Sequence, residues 1–67
     1  MPRVIIQMVE GRDLEKKRAL VKNVTDTMAD TLGISKDRIS IVLHEMKEDT
    51  VAHGGILWCD RDVKPNV

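Results

Sequence analysis

The run Arg3-Val4-Ile5-Ile6-Gln7-Met8-Val9 carries apolar side chains at both alternating positions, so a strand made from it needs cover on two faces. Only one stretch downstream can supply cover. Leu14, Leu20, Val21, Val24, Met28 and Leu32 fall on one side of a helical wheel, while Lys16, Lys17, Lys22, Asp26 and Asp30 fall largely elsewhere. The pattern predicts an amphipathic helix of about 19 residues, about 28 Å long. Glu10-Gly11-Arg12-Asp13 separates the two elements; Asp13 suits the N-cap, Glu15 the first turn, and Gly33 the left-handed residue past the C-terminus. After a short connection at residues 34–37, Arg38 to Met46 reads as a second strand with Ile39, Ile41 and Leu43 on one face. Strand, helix, strand implies a parallel, right-handed crossover. One helix covers one sheet face, and the other face keeps its Val, Ile and Met side chains.

Composition makes that uncovered face consequential. The chain has 67 residues, and its single cysteine, Cys59, leaves no intrachain disulfide to stabilise so small a domain. With 42% apolar residues but Trp58 as the only aromatic, the core must come from Val, Ile, Leu and Met. A second copy of the chain, stacked on the exposed face, is the expected partner. Eleven Lys and Arg balance eleven Asp and Glu, which removes the basic footprint of a nucleic-acid binder. No apolar run approaches the roughly 18 residues that span a bilayer, and no signal-like segment opens the chain, so a cytoplasmic protein without membrane contact is expected. Residues 1–67 read as one domain. Lys47 to Gly55 is a polar loop ending in Gly54-Gly55, Ile56-Leu57-Trp58 an edge or hairpin strand, and 60–67 an exposed tail.

Position two changes the question from folding to chemistry. Methionine removal is expected before a small second residue, leaving Pro2 as the N-terminus. Its nitrogen is then a secondary amine with a lone pair held in a fixed direction by the ring. At the start of a buried strand the ammonium form is penalised, and the pKa falls from the roughly 8 of a free α-amino group. An amine near neutrality is an effective general base for moving a proton α to a carbonyl.

Met1-Pro2, the β-branched strand, Glu10-Gly11-Arg12, the helix with its charged first turn, His44-Glu45-Met46 and Gly54-Gly55 together resemble the tautomerase superfamily, specifically its small 4-oxalocrotonate tautomerase subunits. The resemblance spans Pro2 to about Leu57. It implies an α+β subunit, βαβ with a parallel strand pair, one long helix and a short C-terminal hairpin or edge strand, assembled as a homohexameric trimer of dimers or a hetero-hexamer. It further implies keto–enol tautomerisation of an unsaturated 2-hydroxy or 2-keto acid, of the kind met in aromatic catabolism, without metal or organic cofactor. Pro2 would be the base and Arg12 would hold a substrate carboxylate.

Geometry adds an independent constraint. Pro2 opens strand one and Arg12 lies beyond its other end, about 20 Å or more away at 3.3 Å per residue. They cannot share a substrate within one chain, whereas an antiparallel pair of chains brings Arg12 of one copy beside Pro2 of the other.

Two departures from the family pattern matter. Ser40 stands where a second arginine would bind the carbonyl and stabilise enolate charge. Arg38, two residues earlier on the expected strand, is a replacement, with Arg61 in the tail and Arg3 as weaker ones. Val51 stands where an aromatic would make the pocket apolar, and Trp58 is a candidate to fill that space. These departures keep open a noncatalytic or hetero-oligomer subunit of the same fold, and hydratase, dehalogenase or decarboxylase chemistry if Pro2 stays protonated. His44, His53 and Cys59 match no common zinc spacing, so no metal is expected. Glu10 either pairs with an arginine of a neighbouring chain or ends the strand.

Overall fold

Two strands, β1 (Arg3–Val9) and β2 (Ser40–Met46), lie parallel in register, Arg3 against Ser40 through Val9 against Met46. The computed structural model that shows this describes residues 1–61. Between the strands runs α1 (Leu14–Leu32), and after them come β3 (Ala52–His53) and β4 (Ile56–Leu57), an antiparallel hairpin. The fold is therefore α+β: a parallel βαβ unit with a short hairpin appended.

Local chemistry fixes both ends of α1. The Asp13 side chain accepts the Lys16 amide at 2.9 Å, and Gly33, at φ 67°, donates its own amide to the Ala29 carbonyl at 2.9 Å. The helix lies over the face of the sheet built from Val4, Ile6, Met8, Ile41 and Leu43, all half-buried like Leu20, Val21, Val24 and Met28 above them. Glu45, on the same face, takes an ion pair from Lys17 of α1 at 2.6 Å. Leu14 and Leu32, expected in the apolar stripe, are exposed. A helix of about 28 Å overhangs strands of about 20 Å, so its two end turns have no sheet beneath them.

The other sheet face has no cover within the chain. Ile5 is 60% exposed and its register partner Val42 46%, with Gln7 and His44 exposed beside them. Among the described residues only Ala29, at 7%, is buried outright.

The second strand starts later than expected. Arg38 belongs to a 3₁₀ turn, Lys36–Arg38, which the Ser35 hydroxyl caps by accepting the Asp37 amide. The Arg38 amide donates to the Ser35 carbonyl and the Ile39 amide to the Lys36 carbonyl, so these groups are spent locally before the ladder begins at Ser40. Trp58 likewise opens a 3₁₀ turn, Trp58–Asp60, rather than extending β4. The loop expected over residues 47–55 contains β3, and Gly54 and Gly55, at φ 62° and 81°, supply the two positive φ values that a tight type I′ hairpin turn needs. The expected tail departs at Arg61, which is half-buried; residues 62–67 lie outside the described residues.

Candidate active site

The sequence-predicted site residues separate into two groups at opposite ends of β1. At its head, Pro2 is half-buried and its carbonyl accepts the Ser40 amide at 3.1 Å. That bond holds the Pro2 carbonyl against the start of β2. Met1 before it is 88% exposed. Arg38 is exposed in the turn just ahead of Ser40. Because it lies outside β2, strand alternation does not put its side chain on the Ser40 face, and its place near Pro2 rests on chain proximity alone.

At the tail of β1 lies a groove of about 460 Å³. Val51 and Trp58 both line it, together with Val9, Met46, His53 and Arg61. The hairpin is held there by the Trp58 amide donating to the Val51 carbonyl at 2.8 Å. Trp58 thus lines the same groove as Val51. Arg12 is half-buried and donates its Nη1 to the Val9 carbonyl at 3.3 Å, which ties it to a groove residue.

The structure therefore brings Arg12, Val51 and Trp58 to one end and Pro2 and Ser40 to the other. Gln7, Val9 and Met46 belong both to the groove and to the uncovered sheet face. That face runs without interruption from the Pro2 end to the groove.

Arg61, a weaker candidate in the sequence for the place near Ser40, lies at the groove end instead. Its amide donates to the Trp58 carbonyl at 3.3 Å, its Nη2 donates to the His53 carbonyl at 2.9 Å, and it lines the groove. No local signal marks this place, because it depends on the hairpin folding back beside Val9 and Met46.

The remaining polar candidates are scattered. His44 sits on the uncovered face opposite Gln7. Cys59 is exposed, with its Sγ 3.8 Å from Asp60 Oδ1; partial desolvation first, and the Asp60 charge second, push its thiol above the ordinary range. A raised thiol pKa is the opposite of what a nucleophile needs. Among the described residues no group of three His, Cys, Asp or Glu lies placed to hold a metal ion. Among them, too, no helix is long and apolar enough to cross a membrane.

The structure thus joins a βαβ unit, a proline at the head of β1 and an apolar groove, lined by Arg61, at its tail. The chain belongs to the tautomerase family, whose "Tautomerase enzyme" model matches residues 2–60. It is 43% identical over 60 residues to a probable tautomerase of Listeria innocua, covering 90% of this chain and 98% of the relative. It is 42% identical over 55 residues to the 2-hydroxymuconate tautomerase of Bacillus subtilis, covering 82% and 89%. A solved 4-oxalocrotonate tautomerase homologue superposes with a TM-score of 0.88 at 33% identity, covering 94% of this chain and all of that one. Tautomerases are isomerases, and the chain is an enzyme of that class.

Proposed function

We infer that the protein catalyses keto–enol tautomerisation of an unsaturated 2-hydroxy or 2-keto acid, with Pro2 as the base. Once Met1 is removed, the neutral Pro2 nitrogen takes the hydroxyl proton of a 2-hydroxydienoate. The oxygen's electrons form the carbonyl, the double bonds shift, and the prolinium returns the proton to carbon. No electron or atom is left over, so no cofactor is required.

One observation carries this reading: Pro2 and the groove, with Arg12 tied to its lining residue Val9, stand at opposite ends of a single uncovered sheet face. A second copy related by a two-fold axis lays its strands antiparallel to the first, so each groove receives the partner's Pro2. Arg12 anchors a substrate carboxylate there, the apolar wall of Val51 and Trp58 strengthens that charge pairing by excluding water, and Arg38 is a candidate to meet enolate charge near Pro2. We further propose that such pairs assemble as a trimer of dimers, in the cytoplasm, whose reducing conditions suit an exposed free cysteine.

The test is Pro2→Ala, made after intact mass has established that Met1 is absent. Turnover of 2-hydroxydienoates, followed in the ultraviolet, should fall at least 100-fold while the assembled mass is unchanged. Undiminished turnover in that variant would refute the base assignment.

The serine at position 40 favours one alternative, a noncatalytic subunit that keeps the fold. A wild-type assembly with Met1 removed that turns over no member of a 2-hydroxydienoate and enolpyruvate panel would support it.

A further inference from the structure

His44 is one of only two histidines in the chain, and it stands on the uncovered sheet face. It is exposed there, in register with Gln7 and one alternate position along β2 from Val42. Charge on this face is sparse. Apart from His44 its only ionisable side chain is Arg3, in register with Ser40 and so four residues, or about 13 Å, up the ladder. Ile5, Gln7, Ser40 and Val42 are uncharged, and so is the closing pair Val9–Met46.

The carboxylates nearest in sequence lie elsewhere. Glu45 points to the helix-covered face, where it pairs with Lys17 at 2.6 Å. Glu10, like Lys47, lies past the last register pair. Beyond the ladder the groove adds Arg61 and His53 at one end, and the Pro2 amine stands at the other; none of these is an anion.

A two-fold contact sets this face against itself, so whatever reaches His44 from a second copy belongs to the same set of side chains. With the strands antiparallel, the heads of one pair lie toward the tails of the other, and the charged group carried toward His44 is Arg3 of the second copy. A neutral imidazole fits such a place. It needs one donor and one acceptor, and the amide of Gln7 beside it can be either. A protonated ring needs two acceptors, loses its water on contact, and meets a cation instead of a carboxylate.

We propose that His44 is a pH switch for self-association: the neutral ring lets the uncovered face close on a second copy, and protonation opens it. The inference rests on the reading of a site shared between copies. On that reading, turnover depends on pH through assembly as well as through the base.

Histidine is the side chain whose ordinary titration, near pH 6.5, falls closest to neutrality. A histidine that must shed its proton to enter a contact makes that contact tighten as pH rises, because the free chains bind more protons than the pair. Between pH 7.5 and 5.5 the effect is about 10-fold per histidine, and a two-fold pair carries two, so the dissociation constant should rise about 100-fold on acidification.

Sedimentation velocity over a dilution series at the two pH values measures this. His44→Gln, uncharged throughout, should remove most of the change, whereas His53→Gln, which removes the other histidine, should keep it. At pH 5.5 the specific activity of the wild type should climb with protein concentration, and that of His44→Gln should not. An assembled wild type with equal dissociation constants at the two pH values, or a shift that persists in His44→Gln, overturns the switch and leaves the shared site standing. Wild-type chains that stay monomeric at pH 7.5 overturn both. If His44→Gln fails to fold, the wild type still decides. Its His44 ring resonance, assigned by difference from His53→Gln, should titrate at lower pH in concentrated than in dilute protein, and a midpoint indifferent to concentration overturns the proposal.

Discussion

Ile5→Ala together with Val42→Ala tests whether the uncovered face is an interface between chains. Ile to Ala removes three carbons and Val to Ala two, about 2.4 and about 1.6 kcal/mol for complete burial at about 0.8 kcal/mol per CH₂. Only the part still facing water in the single chain, 60% for Ile5 and 46% for Val42, is at stake in association. That leaves about 1.4 and about 0.7 kcal/mol, together about 2 kcal/mol per chain. The double variant should then bind a second copy about 30-fold more weakly for each chain's contribution, and a two-fold interface counts that contribution twice. Sedimentation velocity over a dilution series measures the shift, with far-ultraviolet circular dichroism checking that α1 persists. Wild-type chains that sediment as monomers at all concentrations, or a double variant that dissociates no more readily, would refute the argument that this face seeks a partner.

The electrostatics of α1 and of the C-terminal turn give further expectations. Asp26 accepts from Lys36 at 2.8 Å and Lys22 at 2.9 Å, and those contacts, Lys36 first, hold its carboxyl below the ordinary value of 3.8. A lowered folded pKa adds stability that is complete above the unfolded value and disappears as pH falls through the folded one. Thermal melts of Asp26→Asn should therefore lie below wild type at pH 6, with the gap narrowing as pH falls below about 4; a gap as wide at pH 2.5 as at pH 6 would assign the loss to something other than charge. Cys59, with its thiol pushed up by partial desolvation and Asp60, should alkylate with iodoacetamide more slowly at pH 7.5 than a free cysteine model, and Asp60→Asn should speed it. Equal rates in the two proteins would remove Asp60 as a cause.

Local codes were legible in the sequence, and whatever depended on distant groups was less so. Asp13 and Gly33 mark the ends of α1 because each acts on backbone within four residues, and both are found in those roles. The β1 run and the Gly54-Gly55 turn were legible for the same reason. The start of β2 was not, since Ser35 captures the following turn with a hydroxyl whose choice of partner the apolar pattern does not encode. Leu14 and Leu32 were misjudged because a wheel gives direction but not the length of sheet available underneath. In the site, the separation of Pro2 from Arg12 followed from strand length alone. Arg61 was obscured because its position depends on the hairpin folding back against Val9 and Met46, a tertiary fact with no local marker.

A site divided between chains has an arithmetic consequence that a site contained in one chain lacks. On the proposed reading, a chain carrying Pro2→Ala has a sound groove and no base, and one carrying Arg12→Ala has a sound base and no carboxylate anchor. Each alone forms only defective sites. In a mixed pair, the Pro2 of the second chain faces the Arg12 of the first, so one site is intact and the other lacks both groups. Random exchange of equal amounts makes about half the pairs mixed, so about a quarter of all sites are whole. Activity at low dicarboxylate concentration, where the Arg12 defect is greatest, should therefore climb toward about one quarter of wild type as subunits exchange. The climb should follow the exchange rate measured independently by mass spectrometry of isotope-labelled chains. A mixture that exchanges fully yet stays at the average of its two parents would mean that Pro2 and Arg12 never meet across an interface. The uncovered face would then need another explanation.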